Sequence, residues 1–210
     1  MPKTIETTVY QFDELTDEAK EKARDWYRSG ALDYVWWDSV YENAANAADK
    51  LGITLRTKLV KLMNGGTRQE PCIWFSGFCS QGDGACFEGD YCYRKNSVKE
   101  LMAEWPKDEK LHAIAKGLQD VQRRNFYKIT AVVTHRDRYC HEHSVDIDVT
   151  VDDRDYDKDT DDTVAECLRD FMRWIYESLE AEHDWRLSDE CVDEDITANE
   201  YEFTEDGHRA

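Results

Sequence analysis

The sequence predicts an α+β fold in which helices pack on an antiparallel sheet within a single compact domain. Three observations lead to this prediction: segments with apolar residues at helical spacing, segments that alternate apolar and polar residues, and a hydrophobic content of 40% with seven Trp, eleven Tyr and seven Phe. Disordered acidic chains carry far fewer aromatic residues. A chain of 210 residues is also long enough to bury one sizeable core.

The N-terminal part is predicted to contain a short strand followed by two helices. The strand covers residues 5–10. The first helix covers 16–28, since Thr16 can cap its N-terminus and acidic residues fill its first turn. Apolar residues on one stripe predict the second helix at 35–51, and Gly52 ends it.

The middle of the chain is predicted to contain strands followed by two short helices. Residues 53–63 alternate and precede an Asn-Gly-Gly turn, and residues 72–78 form an aromatic-rich strand. The helices are expected at 97–104 and 108–124. Pro106 separates them, because proline interrupts or starts a helix.

The C-terminal part holds the clearest strands. Residues 126–135 and 144–151 are joined by a short loop, which predicts an antiparallel hairpin. In the second strand aspartates alternate with apolar residues, so the aspartates should share one face of the sheet. The longest helix is expected at 162–182, and a last strand at 199–204.

The net charge of −19 is confined to the C-terminal part. From Asp146 to Asp206 there are 24 acidic and 5 basic residues, whereas the rest of the chain carries 22 of each. We therefore distinguish a charge-balanced α+β portion, 1–145, from an acidic strand–helix–strand portion, 146–210, and assign both to one domain. A field of one sign repels phosphate and attracts cations. The predicted partner is therefore a basic protein, and direct binding of nucleic acid is not expected.

The acidic portion is predicted to be a contact surface. Ordered carboxylates can imitate the phosphates of a nucleic acid and occupy a groove lined by Arg and Lys. Keeping like charges in register costs stability, so such an array favours a functional explanation over the alternative of a merely solubilising face. The residues predicted to contact a basic, nucleic-acid-binding host protein are Asp146, Asp148, Asp152, Asp155, Glu166, Asp170, Glu177 and Glu180.

A glycine-rich segment, 80–86, lies between two aromatic-rich stretches. Its backbone N–H groups could hold an anion, but it lacks the glycine patterns of nucleotide-binding loops. An Asp-Gly pair between strands is also an ordinary turn signal, so we predict a tight turn with a glycine at positive φ. The alternative is a ligand site formed by Ser80, Gln81, Gly82, Asp83 and Gly84.

Cysteine and histidine side chains offer the remaining chemistry. The cysteines between 72 and 92 are too widely spaced for the close pairs that clamp structural zinc. The Cys-His-Glu-His cluster at 140–143 is the better metal candidate, because a neighbouring strand could add a ligand. The acidic run 153–159 lacks the glycine and glutamate that an EF-hand requires. Nucleophile and base types are present, but no motif fixes their roles; they include Cys86, His135, Cys140 and His143. We predict no enzymatic activity, no metal and no cofactor.

The cellular compartment follows from the cysteines and from the lack of long apolar runs. The N-terminus has no apolar run typical of a signal peptide, and no stretch approaches the roughly 18 apolar residues of a membrane span. Seven cysteines cannot all be paired in disulfides. We therefore expect a cytoplasmic protein with reduced thiols and no membrane association.

Several stretches resemble an uncharacterised family of tailed-phage and prophage proteins. They are residues 10–15 (YQFDEL), 75–78 (FSGF), 80–87 (SQGDGACF) and 201–207 (YEFTEDG), and the Ser-Gln-Gly-Asp-Gly-Ala motif is the most specific of them. Some members of that family are labelled antitoxin-like. The resemblance implies a phage-encoded accessory protein that acts in the host bacterial cytoplasm, and it implies no catalytic residue.

Together these observations predict a non-enzymatic phage protein that inhibits a host nucleic-acid-handling or defence complex, for example an anti-CRISPR or anti-restriction protein. The carboxylates of the acidic portion, 146–210, would make the contact. One alternative is an antitoxin-like or regulatory ligand-binding module built around residues 80–86. A third hypothesis is an enzyme that uses the cysteine and histidine residues.

Overall fold

The computed structural model describes residues 8–62, 65–136, 138–151 and 158–210 and confirms the α+β class. The chain divides into two units, Met1–Trp37 with Ala181–Ala210 (unit 1) and Asp38–Glu180 (unit 2). The position at which the charge changes, between 145 and 146, lies at the start of a strand within unit 2. The acidic portion of the sequence is therefore shared between the two units.

All strand pairings in the described residues are antiparallel. The helices there are α1 (Asp17–Arg28), α2 (Asp38–Leu51), α3 (Ser97–Glu104), α4 (Glu109–Arg124), α5 (Lys158–Leu187) and α6 (Asp189–Ala198). The strands are β1 (Tyr10–Gln11), β2 (Ile53–Leu55), β3 (Thr57–Lys61), β4 (Thr67–Pro71), β5 (Ile73–Phe75), β6 (Ala85–Phe87), β7 (Gly89–Cys92), β8 (Ile129–His135), β9 (Val145–Val151) and β10 (Glu202–Phe203).

Unit 1 is built on α1 and α6, with β1 paired to β10. As predicted, Thr16 caps α1, and its hydroxyl accepts a hydrogen bond from the Ala19 N–H at 3.4 Å. Ser188 caps α6 through the Cys191 N–H at 3.3 Å. The buried cluster that joins these elements consists of Phe12, Leu15, Ala19, Ala23, Val192, Ile196 and Phe203.

Unit 2 is built on a four-stranded sheet with the order β2-β7-β8-β9. The predicted hairpin of β8 and β9 is confirmed, with Ile129 opposite Val151 at one end and His135 opposite Val145 at the other. Side chains alternate across the sheet, and one face is buried. Helix α4 is fastened to this face by Gln122, which is fully buried and whose side-chain amide hydrogen-bonds the Ile129 backbone N–H and C=O.

Several elements differ from those predicted, and three of the differences bear on the sheets and on the acidic part of the chain. The alternating segment 53–63 serves two sheets, since β2 pairs with β7 while β3 pairs with β4. Helix α5 extends to Leu187, beyond the predicted end at 182. The acidic stretch that follows it forms a further helix, α6, which the sequence analysis did not predict.

Candidate functional site

The open face of the four-stranded sheet carries the aspartates that were predicted to share one side. Asp148 on β9 lies opposite Val132 on β8, which in turn lies opposite Asp90 on β7. All three are exposed. Asp90 is compensated by Arg56, with Nη2 and Oδ1 3.6 Å apart. The alternation was therefore predicted correctly, but this face also includes basic residues.

Four of the eight carboxylates predicted to contact a partner take part in ion pairs. Asp148 and Glu180 have none within the described residues, while Asp152 and Asp155 lie outside that part of the chain. The hydrogen bond from Arg173 holds the pKa of Glu166 below its usual range. An adjacent cation cancels much of the field that a carboxylate presents at long range. The pairs are Asp146–Arg136, Glu166–Arg173, Asp170–Arg173 and Glu177–Lys110.

The surplus of negative charge is densest in unit 1, although this is the smaller of the two units. Its sequence contains 19 acidic and 7 basic side chains, a net charge of −12. Unit 2 carries the remaining −7 on a longer stretch of chain. The strongest field of one sign therefore belongs to the unit formed by the two ends of the chain.

Within unit 1, the two sides of α6 differ. The side facing α1 is neutralised: Arg24 makes a bidentate contact with Asp193, with both N···O distances at 2.7 Å, and Arg28 pairs with Asp189. Helix α6 contains no basic residue of its own. Five exposed glutamates there and in the segment that follows form no ion pair in the described chain, and we call them the acidic surface: Glu190, Glu194, Glu200, Glu202 and Glu205.

The glycine-rich segment forms a turn that Asp83 holds together. Its Oδ2 accepts hydrogen bonds from the backbone N–H groups of Cys79 at 2.9 Å and Ser80 at 2.7 Å. The Asp83 N–H in turn donates to the Ser80 carbonyl at 3.0 Å. This carboxylate is therefore used inside the turn. The predicted positive φ is wrong, since the described glycines with positive φ are Gly52, Gly65 and Gly207.

Gly84 is required for a close approach rather than for its φ. A Cβ at this position would lie 3.0 Å from Cδ2 of His141 and 3.1 Å from its Cα, whereas a Cβ at Gly82 would meet no atom within 4 Å. Ser76 joins the same two segments: its hydroxyl donates to the Cys140 carbonyl at 3.3 Å and accepts from the Gly84 N–H at 3.1 Å. The glycine-rich segment therefore packs against the 140–143 cluster.

At this junction Cys86, His135 and Cys140 come together, with one ligand atom of each within 4.8 Å of the others. They are supplied by β6, by the end of β8 and by the loop that leads to β9. Cys86 is buried, and the other two are half-buried. The predicted metal candidate at 140–143 thus contributes Cys140, while His141 and His143 are not members of the group. We call these three residues the thiol–imidazole cluster.

The surroundings of the cluster orient the imidazole. Nε2 of His135 lies 2.9 Å from the Tyr139 carbonyl oxygen, and the ring packs against Trp74 with the centroids 5.1 Å apart. Nζ of Lys58 lies 4.9 Å from the centroid of the Trp74 ring, which places a positive charge near the cluster. One ring nitrogen of His135 is therefore engaged by the backbone, and the other is left for a second contact.

The two thiols are desolvated. Burial raises the pKa of Cys86 to about 12. Burial also raises the pKa of Cys140, and the positive charge of Lys58 acts in the opposite direction. Without a bound cation the raised pKa of each thiol keeps it protonated at neutral pH.

All three members of the cluster are residue types that the sequence marks as chemically capable, but nothing in the sequence places them next to one another. Cys86 and His135 belong to strands that are distant in the sequence, and no local pattern links them. The short separation between His135 and Cys140 is within the range of metal-ligand spacings, and that signal was available. The acidic surface was missed because α6 was not predicted.

The comparisons with known proteins bear mainly on unit 2. A family model described as Domain of unknown function (DUF8835) matches residues 36–189, which covers unit 2 and leaves most of unit 1 outside. No curated protein matches the chain, and no solved structure does. Among the helices described here, none has the length and apolar content needed to cross a membrane.

Proposed function

The chain belongs to the DUF8835 family, and we propose that it is a non-enzymatic binding protein that engages a basic partner through the acidic surface of unit 1. The observation that carries this proposal is the uneven distribution of charge. Unit 1 has a net charge of −12, and five of its exposed glutamates form no ion pair among the described residues. Carboxylates that stay unpaired within the protein are available to cations on another molecule.

The partner class that fits best is a protein that handles nucleic acids. Grooves that bind nucleic acid are lined with Lys and Arg, and negative charge on a protein can occupy them in place of phosphate. Glu190 and Glu194 lie one helical turn apart on α6, so they present two charges to the same side. In a phage-encoded protein of the kind that the sequence resembles, the partner would be a host defence complex, and occupation of its groove would inhibit it.

Affinity requires apolar anchors as well as charge, since long-range electrostatics mainly raise the rate of association. Trp26 is 37% exposed and packs edge-on against Tyr201, with the ring centroids 5.2 Å apart. Tyr201 lies in sequence between two glutamates of the acidic surface. Trp and Tyr are the residue types that most often dominate binding energy at interfaces, so this pair is the expected anchor.

The test is quantitative capture from a bacterial host with three variants of equal charge change. The first variant is Glu190→Gln, Glu194→Gln and Glu202→Gln. The second removes ion-paired carboxylates of α5: Glu166→Gln, Asp170→Asn and Glu177→Gln. The control removes exposed carboxylates from helices of unit 2: Glu42→Gln, Glu109→Gln and Asp120→Asn.

We expect the wild type and the control to retain the same basic protein and the first variant to lose most of it. The second variant should lose less, because its carboxylates already have cationic neighbours. Equal recovery by all four proteins would contradict the proposal. If only the second variant lost the captured protein, the contact would lie on α5, as the sequence alone predicted.

A further inference from the structure

We propose that Cys86, His135 and Cys140 form a zinc site with three protein ligands and a fourth coordination position open to water or a ligand. This inference goes beyond the proposed function, and it does not depend on the acidic surface. It rests on the convergence of three side chains from separate segments, with their ligand atoms within 4.8 Å of one another.

The spacing fits a tetrahedral ion with little movement. Zinc lies about 2.3 Å from thiolate sulfur and about 2.0–2.1 Å from imidazole nitrogen, so its ligand atoms lie within about 4 Å of one another. Side-chain rotations that shift the atoms by about 1 Å would therefore close the site. Two thiolates and an imidazole form a donor set that selects zinc over calcium or magnesium, which prefer oxygen ligands.

The second contact of His135 supports this assignment. A histidine that binds a metal typically donates its other ring N–H to a carbonyl or carboxylate, which fixes the tautomer and the ring orientation. Nε2 of His135 lies 2.9 Å from the Tyr139 carbonyl oxygen, and the ring is further held against Trp74. Nδ1 is then the nitrogen that would bind the metal.

The environment of the sulfur atoms is suited to thiolates that are neutralised by a cation. Cys86 is fully buried, so a thiolate at this position needs a cation to neutralise it. Binding of zinc releases the thiol protons, so the metal would bind both sulfur atoms as thiolates. Such an ion would join the glycine-rich segment to the loop before β9, where Gly84 and Ser76 already hold them together.

The open position follows from the ligand count. Among the described residues no fourth Cys, His, Asp or Glu atom belongs to the group. Structural zinc sites are closed by four protein ligands, whereas sites with three protein ligands keep an exchangeable position. The ligand class that such a site accepts is a small anion, a thiol or water.

The experiment measures metal binding by the full-length protein. Zinc content is determined on protein purified without chelator. The chain is then stripped with a chelator and titrated with Co²⁺, which reports thiolate ligands through a near-ultraviolet charge-transfer band and tetrahedral geometry through its visible bands. The ligand variants are Cys86→Ser, His135→Gln and Cys140→Ser. The controls are Cys79→Ser and Cys92→Ser, which change exposed thiols outside the cluster, and His143→Gln.

We expect one zinc ion per wild-type chain and a Co²⁺ spectrum with thiolate and tetrahedral bands. Each ligand variant should bind more than about 100-fold more weakly, since the loss of a supporting contact alone typically costs 10- to 100-fold. The controls should bind like the wild type. Cys86→Ser changes a buried residue and could prevent folding. In that case the wild-type spectrum and the variants His135→Gln and Cys140→Ser, whose positions are only half-buried, still decide the test.

Three results would overturn the proposal. They are the absence of thiolate bands in wild-type protein supplied with Co²⁺, the persistence of those bands in both His135→Gln and Cys140→Ser, and a Cys86–Cys140 disulfide in protein purified without added oxidant.

Discussion

Two glycines in the same turn should respond in opposite ways to the same substitution. Gly84→Ala places a methyl group 3.0 Å from the His141 side chain and 3.1 Å from its backbone, so the loop before β9 must move. Overpacking of this kind costs about 1–3 kcal/mol. Gly82→Ala meets no atom within 4 Å, and φ at this residue is not positive. It should be neutral, or stabilising by about 0.4–1 kcal/mol, because alanine restricts the unfolded chain.

The assay is urea denaturation followed by tryptophan fluorescence and circular dichroism. If thermal unfolding is measured as well, a change of about 1 kcal/mol in the free energy of unfolding corresponds to a shift in Tm of about 2–4 °C for a protein of this size. We expect Gly84→Ala to lower the urea midpoint with an unchanged m value, and Gly84→Val to lower it further. Gly82→Ala serves as the matched control. Equal stability of Gly84→Ala and Gly82→Ala would refute the close packing of the turn against His141.

The remaining predictions concern the C-terminus, pH and redox state. Gly207→Ala should destabilise unit 1 by about 2 kcal/mol or more, because φ at this residue is +87° and a Cβ would lie 2.1 Å from the Ala19 carbonyl oxygen. A urea midpoint equal to that of the wild type would contradict this prediction. Burial raises the pKa of Cys167 from 9.0 to about 11, so the unfolded chain loses this proton first, and the contribution of Cys167 to stability should fall as pH rises from 9 to 11. Cys167→Ala should show a smaller decline in urea midpoint over that range, and an identical decline would argue against the burial effect. Thiol titration of denatured, unreduced protein with EDTA should find most of the seven cysteines free, and a single free thiol would contradict the expected reducing compartment.

Most of the elements with clear local sequence signals were predicted. Helix α1 was predicted to within one residue, because Thr16 and the acidic first turn mark its start. Helix α6 carries the same signals in Ser188 and the two acidic residues after it. It was missed because only Val192 and Ile196 mark its buried stripe within a continuous run of acidic residues. Strand β4 has little apolar alternation to detect, since its ribbon with β3 is exposed or only half-buried on both faces.

The candidate sites depended on contacts that are distant in sequence. Cys86 and Cys140 belong to separate parts of the chain, and they meet because β6 and the loop after β8 are brought to one place by Ser76 and Gly84. Neither spacing nor composition contains that information. The charge count was available from the sequence, and so was the spacing of Arg173 from Asp170 within α5. The neutralisation of Glu177 by Lys110 was not, because that ion pair depends on α4 and α5 being neighbours.

The association rate between this protein and its captured partner, measured at about 0.1 M and about 1 M salt, tests the central claim most directly. The Debye length falls from about 10 Å to about 3 Å over this range, so an encounter steered by carboxylates should slow strongly. At the lower salt concentration the variant with Glu190→Gln, Glu194→Gln and Glu202→Gln should associate more slowly than the wild type, and at the higher concentration the difference should shrink. Equal rates for the variant and the wild type at both salt concentrations would contradict the assignment of the contact to the acidic surface.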